Sequence, residues 1–320
     1  MAKFQGILGG RATGKVGNLV FTQVAGVGTV AREYVANPRN PKTEAQQSQR
    51  TKLANLVNFY RAFNGILKGA FETKKASQSD YNAFVQKNLA SNPIALAKYE
   101  AEAGAIVVAP YRISEGSLTP ITAESTSFSG GTFIIASSIA MTTDYSVSGK
   151  TVGQVSQEIL SSNPNLRNGM QISLLTFVQS VAGTPSIPRA AVQAREFTIE
   201  IGSTQPFSET EFANVLITDE GAFAARITGA PVAFAWILSE RVNGKLAVST
   251  QSIEMLSETT FDSFNTDAQR MLAAQSYGES SDVFLAPGGG GQPVPDVQPG
   301  EPGNGGGDDD DEPGSGGGLE

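Results

Sequence analysis

The chain has 320 residues, a net charge of −8, and neither cysteine nor histidine. Lacking cysteine, it has no disulfide, zinc–thiolate site or cysteine nucleophile; lacking histidine, it has lost the commonest general base, the Ser-His-Asp triad and the commonest transition-metal ligand. An enzyme would have to work with carboxylates, Lys, Tyr, Ser or backbone groups, so the composition points to a non-catalytic protein without cofactor or metal.

Charge is segregated along the chain. Residues 1–75 hold 12 Lys/Arg against 3 Asp/Glu, whereas residues 279–320 hold no Lys/Arg and 10 Asp/Glu. A basic head suits a polyanion such as nucleic acid, or an acidic protein surface, and it can also attract the acidic tail. No apolar run reaches the ~18 residues of a membrane helix, and MAKFQGILGGRATGK has no secretory apolar core. The expectation is a soluble protein made in the cytoplasm, without membrane insertion.

The stretch Gly9–Val16, GGRATGKV, nearly spells a phosphate-binding loop. A phosphate loop needs a Ser/Thr after the lysine and a helix beyond it. Here the position is Val16, and VGNLVFTQV reads as a strand. The stretch is therefore expected to be a flexible, positively charged lead-in to a β-hairpin, turned by Gly9, Gly10 and Gly14, with Arg11 and Lys15 open. The hairpin strands are 18–24 and 29–35. Asn37-Pro38 and Asn40-Pro41 end them, and Thr43 with Gln46 forms a capping box for a helix of roughly seven turns. Its apolar face is Leu53, Leu56, Val57, Tyr60, Phe63, Leu67 and Phe71, with a kink expected at Asn64-Gly65. A second helix over 79–90 completes an αα-hairpin, and the Ala-rich 95–105 adds a short third helix.

From residue 105 the pattern turns to β. Strands are expected at 105–113, 132–140, 170–180, 196–201, 222–228, 231–242 and 245–256, with Asn243-Gly244 as a tight hairpin turn. Two short helices, 151–160 and 261–275, interrupt them. The fold class is α+β: a hairpin and an αα-hairpin, then an antiparallel sandwich-like region, then a Gly/Pro/Asp tail. The expected segments are a basic head (1–100), a β-rich domain (101–257), a short helix and linker (258–285), and a tail (286–320) too poor in apolar residues to fold.

Candidate polyanion-binding residues are Arg11, Lys15, Arg32, Arg39, Lys42, Arg50 and Lys52, with Phe21 and Tyr34 either stacking platforms or cross-strand contacts. Asp308, Asp309, Asp310, Asp311 and Glu312 lack the spaced ligands of a calcium loop and read as a partner-docking tip. Trp236 reads as core. Two segments, FQGILGGRATGKVGNLVF and REYVANPRNPKTEAQQSQRTKLANLV, resemble the N-terminal signature of an uncharacterised protein family of Bacteroidetes and their phages. The closing AFAWILSERVNGKLAVSTQSIEM is similar to that family's last hairpin. The likeness spans about residues 4–60 and, more weakly, 170–256; the long acidic tail departs from it. It implies a virion-associated or accessory role and brings no activity with it. The expectation is a non-catalytic phage-type structural protein contacting other copies of itself or virion and host proteins. The alternative is a nucleic-acid-binding accessory protein whose acidic tail competes with DNA.

Overall fold

The structure is a computed structural model that describes residues 3–5, 11–24, 28–36, 44–214 and 216–277. The chain opens on β1 (Lys3–Gln5), β2 (Arg11–Val16), β3 (Leu19–Val24) and β4 (Gly28–Glu33), paired antiparallel in sequence order. The flexible lead-in expected at GGRATGKV is corrected. Arg11–Val16 is itself a strand, with Gly14 opposite Phe21 and Val16 opposite Leu19. Once β3 offers a ladder, each paired residue gains backbone bonds that a solvated loop would not. The reversal comes one step later, at Gly17-Asn18, where Gly17 takes the positive φ (56°) of a tight two-residue turn.

Three helices follow: α1 (Glu44–Leu67), α2 (Asp80–Asn88) and α3 (Lys98–Glu102). α1 departs from helical geometry at Phe63 (φ −111°), one residue before the expected kink. The expected Thr43–Gln46 capping box lies outside the described residues. Ser79 caps α2 by accepting the Asn82 N–H at 3.2 Å. The α1–α2 hairpin is closed by aromatic rings: Phe59 stacks on Phe84 at 5.8 Å, and Tyr60 meets Tyr81 edge-on at 5.2 Å.

The expected strand 105–113 is a second correction: only β5 (Arg112–Ser114) is strand. The segment before it is buried, but side-chain amides take the place of a neighbouring strand. Asn55 accepts the Val107 N–H and donates to its carbonyl, both at 2.9 Å. On the other side Gln179 accepts the Val108 N–H and donates to the Ile106 carbonyl, also at 2.9 Å. Periodicity sees the apolar residues and cannot see that the partners are amides.

The remaining elements are β6 (Ala123–Ser129), β7 (Thr132–Ala140), α4 (Val152–Ser162), β8 (Gln171–Ala182), β9 (Ile187–Thr198), β10 (Leu216–Asp219), β11 (Ala222–Thr228), β12 (Pro231–Val242), β13 (Lys245–Val248), β14 (Gln251–Ser252), β15 (Glu254–Met255), α5 (Thr259–Phe264) and α6 (Asp267–Ser276). The single helix expected over 261–275 is two, because Thr266 breaks the run and caps α6 by accepting the Gln269 N–H at 3.1 Å. The long 245–256 strand is three short ones. β6 and most of β9 were not expected: AESTSFS and PRAAVQAR alternate too weakly in hydropathy to announce a strand. Asn243-Gly244 is a hairpin turn as read, both residues at positive φ (51° and 77°).

Two antiparallel sheets form the body, in strand orders β10-β11-β7-β6 and β13-β12-β8-β9. The second is the middle layer. Along β12, Ala233, Ala235 and Ile237 face the helices with Leu175 and Phe177 of β8. The alternate residues Phe234, Trp236 and Leu238 face the other sheet and α4. Burial on both faces is why VAFAWIL is a continuous apolar run. Trp236 is core as expected, 1% exposed and packed between Phe212 and Phe223. The architecture is mixed α+β with antiparallel sheets. Among the described residues, no helix is long and apolar enough to cross a membrane.

Candidate functional site

Among the described residues, the N-terminal sheet contributes no side chain to either apolar core. Strand alternation sorts its residues into two faces. Lys15 pairs with Val20 and Val20 with Arg32, so these three share one face, as do Thr22 and Val30. The Lys15 ammonium lies 3.2 Å from the centre of the Tyr34 ring. The opposite face carries Val16, Leu19, Phe21, Ala31 and Glu33.

Neither face is buried. Val16 and Leu19 are each 46% exposed on one face, Val30 is 39% exposed on the other, and Val35, just past β4, is 62% exposed. The body, by contrast, keeps two continuous apolar cores. Sequence reading placed the strands but missed this exposure. A signal existed: apolar and polar residues do not alternate cleanly in LVFTQV, so neither face is fully polar.

The sheet brings Lys15 and Arg32 together, both exposed. Arg11 lies in β2 with its backbone opposite Gln5. Arg39 and Lys42 lie outside the described residues, as do Asp308, Asp309, Asp310, Asp311 and Glu312. Arg50 is on α1 near Tyr277; burial holds that hydroxyl above its usual pKa, while the Arg50 charge pulls the other way. Lys52 is half-buried in α1, and its carbonyl accepts from Asn92 at 2.7 Å. Tyr34 is covered by Lys15 on the very face where a base would stack.

The body also holds a cleft of about 420 Å³ where α1 ends over the middle sheet, lined by Gly65, Gln171, Leu175, Glu196, Ser239 and Leu246. Both of its carboxylates are already engaged. Gln171 donates to Glu196 at 2.6 Å, and Glu240 pairs with Arg167 at 2.6 Å. Among the described residues no group of three or more Asp or Glu side chains is placed to hold a metal ion.

The shifted carboxyls are structural. Burial would raise the pKa of Glu72, yet bonds from the Ser117 N–H and hydroxyl and the Val248 N–H hold it below its usual value. Glu100 is 3% exposed. Burial raises its pKa, against the bonds it accepts from the Ala97 N–H, the Tyr99 hydroxyl and Gln269 of α6. A pKa raised in the fold means that the contribution of Glu100 is full below its unfolded value, about 4.3, and is lost as pH rises through the folded value. Relative to Glu100→Gln, the native protein should therefore lose stability as pH climbs from acid to neutral. Urea unfolding of both across that range measures it; a pH-independent difference would contradict the shift.

Residues 10–164 match the model of DUF6266, a family of unknown function. The matched stretch takes in β2–β4, the α1–α3 helices, β5–β7 and α4. It stops before β8, although the helical core is completed by Leu175 and Phe177 from β8 and by Ala233 and Ala235 from β12. No curated protein and no solved structure matches the chain.

Proposed function

We propose that this chain acts through protein–protein contacts, without catalysis, as a phage-type structural or virion-associated accessory protein. One observation carries the reading: a four-stranded sheet that exposes apolar side chains on both faces, beside a body organised around two buried apolar cores. Exposed apolar surface of this kind marks a contact site. The residue inventory, without His or Cys, supports the non-catalytic part. A nucleic-acid role has less behind it. Lys15 is engaged with Tyr34, Arg50 sits on α1 near Tyr277, and Lys52 is half-buried on α1.

The test has two arms. In sedimentation, the full chain should run above its 33.5 kDa monomer mass, and Val16→Lys with Leu19→Lys should shift it toward monomer. Mass spectrometry should find the chain in particles purified from its source. A chain that stays monomeric and is absent from particles overturns the reading.

A further inference from the structure

Residues 1–36 hold four Lys/Arg, Lys3, Arg11, Lys15 and Arg32, and one acid, Glu33. The register separates the signs. Lys15 and Arg32 flank Val20 on one rung and share its face, while Glu33 sits opposite Leu19 on the other face. The β1–β2 ladder adds Lys3 and Arg11 at its two ends and no acid.

Two of these cations are drawn to one strand. The Tyr34 N–H donates to the Asn18 carbonyl at 2.6 Å, so Tyr34 continues β4 in phase, on the face of Arg32. Lys15 reaches across β3 to lie over the Tyr34 ring. Arg32 is two residues before that ring, about 7 Å along the strand. A cation–π contact leaves the ammonium its charge, so two positive groups share one short stretch of exposed surface. Among the described residues, the four ion pairs lie within residues 74–270, and none takes up Lys15 or Arg32. The face is short of an anion.

The chain carries such an anion itself. Residues 279–320 hold ten Asp/Glu and no Lys/Arg, and five of the acids form the run Asp308–Glu312. Residues 76–278 hold 11 Lys/Arg against 18 Asp/Glu, so the field of the body repels that run. Reach is no obstacle, since the stretch from Tyr277 to Asp308 can span up to about 100 Å. Tethering gives the run an effective concentration that a free polyanion must outcompete.

We propose that Asp308–Glu312 docks on the Lys15–Arg32 face of the N-terminal sheet of the same chain. Carboxylates need only charge and N–H donors there. A single-stranded nucleic acid would also need the Tyr34 ring for stacking, and Lys15 already covers it. The docked run closes one face of the sheet and leaves the other, with Val16 and Leu19, to the protein contacts proposed above. The two readings use opposite faces, so either can fail alone.

A carbodiimide, which joins an amine to a carboxylate in direct contact, tests this on the full chain. Equal amounts of ordinary and isotope-labelled chain separate links within a chain from links between chains. Peptide mass spectrometry should find Lys15 joined to the 308–312 run within one chain. High salt should lower that yield about threefold or more, as should Arg32→Glu, which leaves the reacting amine in place. Salt acts on the native chain, so the inference stays testable if Arg32→Glu disturbs the sheet. No link from Lys15 to the run, links only between chains, or a yield indifferent to salt overturns the inference. So does salt-sensitive retention of a DNA oligonucleotide by a chain that forms no such link, which would give the face to nucleic acid.

Discussion

Replacing Asn55 with alanine should lower the unfolding free energy by about 3–5 kcal/mol, since two buried backbone groups lose their partner and a buried hydroxyl loses its donor at once. Asn55 is fully buried on α1. It holds both backbone groups of Val107, and its Nδ2 also donates to the Tyr111 hydroxyl at 2.6 Å. That hydroxyl donates onward to Asn92, whose amide holds the Lys52 carbonyl. Alanine would leave the Val107 N–H and C=O without water or protein. Asn58, half-buried one turn on, donates only to the Ala101 and Ala105 carbonyls, so Asn58→Ala should cost less, about 1 kcal/mol. Urea unfolding with an unchanged m-value checks both. If Asn55→Ala costs no more than Asn58→Ala, the amide bracket around 105–109 is not what holds that segment.

The same network marks where sequence reading stopped. Strands marked by a long apolar run or by a tight-turn signal were legible. Pro231–Val242 shows as a long apolar run, and its Asn-Gly turn fixes the β13 hairpin. α1 and α2 were legible from their three- and four-residue apolar steps, although Ser79, read as the start of the second helix, is its cap. What failed depended on partners far along the chain. Val107 is an extended residue whose ladder is Asn55, and Arg189–Glu196 is a strand only because β8 runs beside it. The candidate site failed in another way. Its residues were placed on the right strands, but letters cannot say that Val16, Leu19 and Val30 stay exposed. A valine looks the same in sequence whether it enters a core or waits for another chain.

The same substitution at two helical glycines should move stability in opposite directions. Glycine costs a helix interior about 0.8–1.0 kcal/mol relative to alanine, so on propensity alone both changes should stabilise. Gly65, in α1, has open space where a Cβ would go, and Gly65→Ala should gain about 0.5–1 kcal/mol. Gly153 is in the first turn of α4, where the helix start is tied to residues 201–205. The Gly153 N–H donates to the Ser203 carbonyl at 3.1 Å, and the Val152 N–H to that of Gln205 at 2.9 Å. A Cβ at 153 would stand 2.5 Å from the Ile201 carbonyl oxygen and 2.6 Å from that of Ser203. Both are backbone atoms, so no rotamer change relieves the overlap. The helix start must move off the 201–205 loop, opening the core that Val152 and Val155 share with Phe207. Gly153→Ala should therefore lose about 3 kcal/mol or more, the clash outweighing the propensity gain. Gly116 repeats the logic outside a helix, since a Cβ there would overlap the Val248 carbonyl oxygen. Thermal and urea unfolding of the Gly65 and Gly153 variants side by side decide the matter. Two shifts of the same sign would mean that propensity, and not the approach of the 201–205 backbone, governs position 153.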